Sequence, residues 1–444
     1  MTAQIPGPET IDAALERLAK LHPKSIDLSL DRIETLLDKL GRPQDRLPPA
    51  IHLAGTNGKG STAAFLRAIA EAAGDTVHVY SSPHLVRFNE RIRLAGEIVD
   101  DARLKAAFDR VEAANGDAPL SFFEATTAAA FLLFAETPAD RLILETGLGG
   151  RLDATNVIAA PQCTVITPVS LDHQAFLGDT VEAIAGEKAG ILKPGAPLVL
   201  GPQRDAARRV IQTAAERLGA PVTAWGEQFR AYPERDRLVY EEDALLWDLP
   251  APALIGPHQI VNAGMAIAAA RLCGYDETAV AQGLASARWP ARLQRLTTGP
   301  LSEIASARGA DVWLDGGHNA AAGEALAASL GQMPGAGERP LVLIAAFSVN
   351  KDAAAYLRFF TGLAARVIAI EFGGGREGAQ TAHAVAVAAR SVDLPAQTAA
   401  GLTEAVHDAL EDYERPRLVI CGSLYLAGEV LAMEGDDAVQ ATPG

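Results

Sequence analysis

Short apolar runs alternate along this chain with longer stretches in which apolar residues recur every three or four positions. The runs at 51–54, 77–80, 141–145, 163–167 and 197–200 read as buried strands, and the stretches near 62–73, 101–114, 123–135, 181–189 and 205–218 as helices. Such alternation builds a largely parallel sheet covered by helices on both faces. Upstream, residues 11–41 read as an amphipathic helix, a break around His22-Pro23 and a second helix from roughly Leu28 to Leu40. Residues 222–250 are richer in aromatic and charged side chains and predict a short antiparallel excursion, after which 258–287 return to helix. Around Trp289-Pro290-Ala291-Arg292 the alternation restarts. Strands at 311–315, 340–346, 366–371 and 417–421 interleave with helices near 319–330, 351–363, 380–391 and 402–412. This is a second, smaller α/β domain, with the boundary expected near 288–298.

A chain of 444 residues exceeds one typical core, which agrees with two domains. Apolar residues make up 49% and charged residues 21%, an ordinary globular balance rather than a disordered one. The net charge of −16 argues against a nucleic-acid or anionic-membrane surface, since both need a basic footprint. A local lysine and arginine pocket for an anionic substrate remains compatible with it. Cys163, Cys273 and Cys421 lie far apart among apolar residues, which predicts buried free thiols and a reduced, cytoplasmic setting. The N-terminus has neither a basic start nor a long apolar core, and no apolar run reaches membrane-spanning length. A soluble protein is expected.

Residues 51–65 carry the most specific chemistry. An apolar run leads into a loop with Gly55, Gly58 and Gly60, carrying Thr56, Asn57, Lys59 and Ser61, and an alanine-rich helical segment follows near Thr62. Glycines let the backbone approach a phosphate, amide N–H groups and the helix dipole attract it, and the lysine adds a full charge. The neighbouring hydroxyl is placed to reach a phosphate-bound magnesium ion. The spacing departs from Walker A: Leu53 stands where its first glycine belongs, and Gly60 separates lysine from serine. A glycine-rich surface turn leaves Lys59 and Ser61 unexplained, so phosphate binding is the better reading.

Glu145-Thr-Gly-Leu-Gly-Gly-Arg-Leu-Asp-Ala-Thr-Asn156 follows the strand Arg141–Leu144, where open α/β sheets bind ligands. Alone it reads equally as a capped turn with a surface glutamate. With a phosphate loop one strand away, Glu145 reads as a magnesium ligand. Leu171-Asp172-His173 also follows a strand. A lone histidine is more often structural, but Glu145 and His173 come from strand ends of one sheet, which favours one metal site. By residue type Lys188 and Lys193, in Gly186–Lys193, are ordinary lysines at an exposed helix end. Ser81-Ser82-Pro83-His84-Leu85, with Arg87, Arg91 and Arg93 beyond, suits an anion, a metal or a solvated loop. In the second domain Asp315 ends a strand like a ribose or base contact, and His318 stands like a substrate contact. Arg292, between the domains, reads as a surface arginine or a nucleotide contact.

Taken together, Gly55–Ser61, Ser81–Leu85, Glu145–Asn156, Leu171–His173, Glu187–Ile191 and Asp315–Asn319 resemble, in order and spacing, the folylpolyglutamate synthases of the Mur ligase superfamily, above all the bacterial bifunctional dihydrofolate synthases. The resemblance runs from about Ser25 to Ser423. It implies an N-terminal P-loop ATPase domain with a mostly parallel sheet over residues 1–290, including N-terminal pterin-binding helices, and a smaller Rossmann-like glutamate-ligase domain over 291–444. The implied ATP contacts are Thr56, Asn57, Gly58, Lys59, Gly60, Ser61, Asn262, Arg292 and Asp315. Ser82, Glu145 and His173 are the implied Mg²⁺ ligands, and a monovalent cation such as K⁺ is a further candidate. Lys188 matches the lysine carried as a carbamate, which replaces its reading as an ordinary lysine. Lys59, Lys188 and His318 form the implied catalytic set. Asp27, Leu28, Ser29, Leu30, Ser121, Phe122, Phe123, Glu124, Leu152, Asp153 and Ala154 match pterin-binding segments, and a Phe122-Phe123 pair suits stacking on a flat heterocycle. Asp-Gly-Gly-His-Asn-Ala stands where Asp-x-Ala-His-Asn-Pro is commoner, and Gln174 follows Asp172-His173 in place of threonine.

The implied reaction is ATP-dependent ligation of L-glutamate to 7,8-dihydropteroate and to reduced folates through an acyl phosphate, by a cytoplasmic monomer without nucleic-acid or membrane partners. Closing of the second domain about Trp289–Arg292 is expected to exclude water from that intermediate. The alternatives are a folylpolyglutamate synthase alone, a muramyl-peptide ligase, a small-molecule kinase and a non-catalytic ATP-binding regulator.

Overall fold

The computed structural model describes residues 11–20, 29–373 and 378–435. Two compact units divide the chain: unit 1 holds Met1–His84, Phe88–Leu249 and Asn262–Leu284, and unit 2 holds Leu85–Arg87, Pro250–Val261 and Ala285–Gly444. The change at Ala285 lies just before the expected boundary. The two short segments that join unit 2 early leave no mark on the hydrophobic pattern, because only tertiary contacts assign them.

Unit 1 is built on eight strands: β1 Ala50–Ala54, β2 Val77–Tyr80, β3 Ile92–Leu94, β4 Glu97–Ile98, β5 Arg141–Glu145, β6 Cys163–Ile166, β7 Leu198–Leu200 and β8 Val222–Ala224. Their order is β4-β3-β2-β5-β1-β6-β7-β8, parallel from β2 to β8 with β3 and β4 antiparallel at one edge. The central strands are buried along their whole length, as expected of a sheet covered on both sides. Strand β1 lies between β5 and β6, with Leu53 opposite Glu145 and Ala54 opposite Ile166. The chain turns from one side of the sheet to the other here, so β1 ends at the switch point where such sheets hold ligands. Of the expected antiparallel excursion, residues 222–224 join the large sheet as β8. The remainder forms a separate antiparallel sheet of β9 Phe229–Glu234, β10 Arg237–Glu242 and β11 Leu245–Pro250.

Unit 2 carries a six-stranded sheet of β12 Gln294–Leu296, β13 Asp311–Leu314, β14 Leu341–Ala345, β15 Arg366–Ala369, β16 Ala396–Thr398 and β17 Arg417–Cys421, in the order β12-β13-β17-β14-β15-β16. Its two faces sort by residue parity. Val312, Leu314, Val342, Ile344, Ile368, Leu418 and Ile420 enter one core, and Trp313, Leu341, Leu343, Val367, Val419 and Cys421 the other. Each fully buried Leu, Ile or Val contributes about 1.5–3 kcal/mol. The expected helix over 258–287 is two helices, Pro257–Leu272 and Glu277–Ser286, interrupted where Gly274 takes a φ of 87°. The expected helix at 351–363 is a short turn, Ala353–Leu357, running into a tighter one at Arg358–Phe360 that buries Phe360. No helix among the described residues is long and apolar enough to cross a membrane.

Candidate active site

The loop after β1 is shaped by its glycines. A side chain at Gly55 would place its Cβ 1.8 Å from Thr167 Oγ1, because register brings the two positions side by side. Gly58 has a φ of 92°, and a Cβ there would lie 2.4 Å from Asn262 Oδ1. This left-handed residue caps the next helix, which therefore starts at Lys59 and not near 62. Lys59, Gly60 and Ser61 thus form its first turn, whose N–H groups have no partner within the helix. The far side of the loop is held by the continuation of β6. Thr56 N–H donates to Pro168 O at 3.1 Å, and its hydroxyl exchanges hydrogen bonds with the Ser170 backbone, both 3.1 Å.

Two lysines converge on one atom of this loop. Lys59 Nζ donates to the Gly55 carbonyl at 3.1 Å, and Lys188 Nζ, from the last turn of the helix Val181–Ala189, donates to it at 2.8 Å. Lys188 is buried, contrary to its sequence-based reading as an exposed lysine. Burial, reinforced by the charge of Lys59, pushes its pKa down to about 7, with Asp172 and Asp153 opposing. It is therefore in part a neutral amine at physiological pH. Glu145, the last residue of β5, is 4% exposed, and its Oε1 lies 3.9 Å from Lys59 Nζ. Ser82 follows β2 and His173 follows β6, so the three expected magnesium ligands all leave the C-terminal edge of the sheet. His173 holds a left-handed backbone at φ 51°, a conformation that costs energy in a non-glycine residue. Among the described residues no three His, Cys, Asp or Glu side chains assemble into a metal site.

The expected pterin segments gather on the same unit. Ser121 and Glu124 form a capping box at the start of the helix Phe122–Glu136, and the Glu124 carboxylate also accepts Arg32 Nε at 3.1 Å. Both are thereby committed to holding that helix end. Phe122 and Phe123 are half-buried. Phe123 lies against Gly147, where a Cβ would come within 2.4 Å of its ring, and 6.1 Å from the Tyr80 ring. Asp153 is buried, Ala154 is buried and Leu152 half-buried. Ser29 Oγ accepts the Asp31 N–H at 3.2 Å and Leu30 packs on the core. Asp27 and Leu28 lie outside the described residues.

In unit 2 the Asp315 carboxylate accepts Leu293 N–H at 2.9 Å and Gly317 N–H at 2.8 Å. Arg292 is flanked by Ala291 at φ 55° and Leu293 at φ 44°, two left-handed residues that fix where its guanidinium leaves the backbone. A Cβ on Gly316 would meet that guanidinium at 3.1 Å. His318 Nδ1 lies 3.3 Å from Gly316 O, and Asn319 caps the helix Ala320–Gln332. His258, passed over in the sequence, faces Asp315 and Arg292, and burial lowers its pKa. Its position at the head of a helix after Gly256-Pro257 was the available signal.

A glycine loop on a central parallel strand, with convergent lysines and a buried carboxylate, together with a second α/β unit, is the arrangement of a Mur-type ATP-dependent ligase. Residues 53–270 match the Mur ligase middle domain, and residues 301–433 match the dihydrofolate synthetase C-terminal domain. The chain is 37% identical to the dihydrofolate synthase/folylpolyglutamate synthase of Bacillus subtilis (strain 168), over 68% of this chain and 72% of that protein. E. coli FolC in complex with DHPP and ADP superposes with a TM-score of 0.85 at 31% identity, covering 95% of this chain and 97% of that one. A bifunctional folylpolyglutamate synthase/dihydrofolate synthase with Mn, AMPPNP and L-glutamate bound gives 0.82 at 31% identity, covering 97% and 99%. The chain belongs to the dihydrofolate synthase/folylpolyglutamate synthase family and is an ATP-dependent carboxylate–amine ligase.

Proposed function

We propose that this chain joins L-glutamate to 7,8-dihydropteroate, giving dihydrofolate, and to reduced folates, extending a polyglutamate tail. The observation that carries the reading is the pair of lysines on the Gly55 carbonyl, with Glu145 3.9 Å from one of them. Two convergent lysine side chains and a buried carboxylate at a glycine loop are a centre for phosphoryl chemistry.

A carboxylate and an amine do not condense in water, so the pteroate carboxylate first attacks the ATP γ-phosphate. Thr56 to Ser61 hold the phosphates, and Lys59 neutralises the charge that develops on transfer. The amino group of L-glutamate then attacks the acyl phosphate and phosphate leaves. Ser82, Glu145 and His173 are oxygen and imidazole donors that suit Mg²⁺ or Mn²⁺, and the buried Ser170 Oγ beside Thr56 makes no hydrogen bond within the described residues, which leaves it for a ligand or its water. Mg²⁺, when bound there, supplies further positive charge to the phosphates. Lys188 as a neutral amine adds to CO₂: its nitrogen bonds the carbon, one C–O π bond becomes the carboxylate, and a proton passes to solvent. The carbamate turns a cation into an orienting anion. Asn262, Arg292 and Asp315 serve the nucleotide, and His318 the substrate. Phe122, Phe123 and residues 152–154 receive the pterin. The enzyme acts as a cytoplasmic monomer.

The test is phosphate release from ATP and Mg²⁺ with L-glutamate, using 7,8-dihydropteroate or tetrahydrofolate as acceptor. Glutamate-dependent release with both is expected. Release with tetrahydrofolate alone would reduce the enzyme to a polyglutamate synthase, and release with neither would reject the reading. Gly147→Ala checks the pterin side. The new methyl pushes Phe123 aside, so KM for the folate substrate should rise about tenfold while KM for ATP holds. An unchanged folate KM would remove Phe123 from the pterin site.

A further inference from the structure

A buried polar chain joins β1 to the 145–156 loop, and two of its members, His52 and Thr155, have no part in this chemistry. His52, in the middle of β1, is fully buried, and its Nε2 lies 2.9 Å from Thr155 Oγ1. The Thr155 hydroxyl lies 2.6 Å from Asp153 Oδ1, and the Thr155 backbone N–H donates to the same oxygen at 3.0 Å. Asp153 Oδ2 accepts the Leu148 N–H at 2.7 Å. The carboxylate therefore ties the two ends of the glycine turn together.

A threonine hydroxyl has one proton to give. The short contact to a carboxylate is the charge-assisted one, so that proton points at Asp153. His52 must then donate to Thr155, with its proton on Nε2 and a bare Nδ1. Two observations agree. His52 Nδ1 has no hydrogen-bond partner among the described residues. Burial, helped by the charge of Lys193, also pushes the imidazole pKa down to about 3, so the ring carries a single proton at neutral pH. The chain thus has one direction: imidazole N–H to hydroxyl, hydroxyl to carboxylate. An imidazole inside a parallel strand costs desolvation that an aliphatic residue would not, and its hydrogen bond to Thr155 offsets part of that cost.

We propose that His52 and Thr155 are positioning residues for folate recognition, acting through Asp153 to hold residues 147–155 in the form that meets the pterin ring. The inference rests on the reading of Phe123 and residues 152–154 as the pterin site. Gly147, on which Phe123 lies, belongs to the turn that Asp153 closes.

The experiment measures kcat, KM for tetrahydrofolate and KM for ATP in His52→Leu, Thr155→Val, the double variant, His52→Gln and Thr155→Ser. Each of the first two should raise the tetrahydrofolate KM roughly tenfold, with ATP KM and kcat unchanged. The double variant should be no worse than Thr155→Val alone, because the two residues act in series. His52→Gln offers an amide N–H near the position of Nε2, and Thr155→Ser keeps the hydroxyl, so both conservative variants should restore the wild-type KM. Thr155→Val preserves side-chain volume and carries the test if His52→Leu does not fold. Additive losses in the double variant, or parallel losses in kcat and ATP KM, would overturn the proposal. Absence of folate-dependent phosphate release in the wild type would instead reject the functional reading, and the relay with it.

Discussion

Replacing Lys188 with methionine is expected to reduce turnover by about three orders of magnitude while making the protein more stable near neutral pH. The two effects have separate causes. On the proposal that Lys188 carries a carbamate, turnover falls because methionine cannot form one, and the orienting anion it would place beside the phosphate loop is lost. Stability rises because the wild-type protein buries an ammonium group next to Lys59. The folded-state pKa is about 7 and the free value 10.5, so the unfolded chain binds more protons throughout that interval. Wild-type stability therefore increases with pH from about 7 to 10.5, and below 7 the penalty is at its full value of a few kcal/mol. Lys188→Met removes that dependence. In CO₂-depleted buffer at pH 7 its Tm should exceed that of the wild type by roughly 3–6 °C, and the gap should close as the pH approaches 10. Bicarbonate should raise the Tm of the wild type and leave the variant unmoved. Thermal unfolding across that pH range, with and without bicarbonate, reads all of this. A variant with near-normal turnover would take Lys188 out of the chemistry, and a Tm below wild type at pH 7 would contradict its burial as a strained cation.

Lys188 also marks where reading the sequence stops. Its helix was legible to the residue, Val181–Ala189, because Thr180 caps one end and glycine follows the other. Its burial was not, since that comes from the approach of β1 and its loop, more than a hundred residues away in sequence. The four inner strands of unit 2 were legible because strands buried on both faces give unbroken apolar runs. Short strands at or next to a sheet edge, such as Ile92–Leu94, Gln294–Leu296 and Ala396–Thr398, were missed, since three residues carry no periodicity. The phosphate loop was recognisable from its glycines, and the geometry explains two of them: Gly55 beside Thr167, Gly58 beside Asn262. His52 reads in the sequence as one more residue of an apolar strand. Only the fold brings Thr155 to its ring.

Glu145→Gln should cost two to four orders of magnitude in kcat with the protein still folded. The substitution keeps the volume and the planar head group and removes one negative charge, so it isolates that charge. Glu145 is almost fully buried beside Lys59, where an ion interacts far more strongly than in water. Without the carboxylate, Lys59 loses the anion that balances it before ATP binds, and under the proposed assignment the divalent cation loses the one charged ligand among Ser82, Glu145 and His173. Both changes weaken stabilisation of the transferring phosphate. The Mg²⁺ concentration needed for half-maximal rate should therefore rise at least tenfold, while KM for the folate substrate stays near its wild-type value, because the proposed pterin contacts at Phe122, Phe123 and residues 152–154 do not include Glu145. A Mg²⁺ titration of phosphate release at saturating folate separates the two. If kcat and the Mg²⁺ requirement both stay within about threefold of wild type, Glu145 is a structural carboxylate at a strand end, and the site must draw its metal-binding charge from elsewhere.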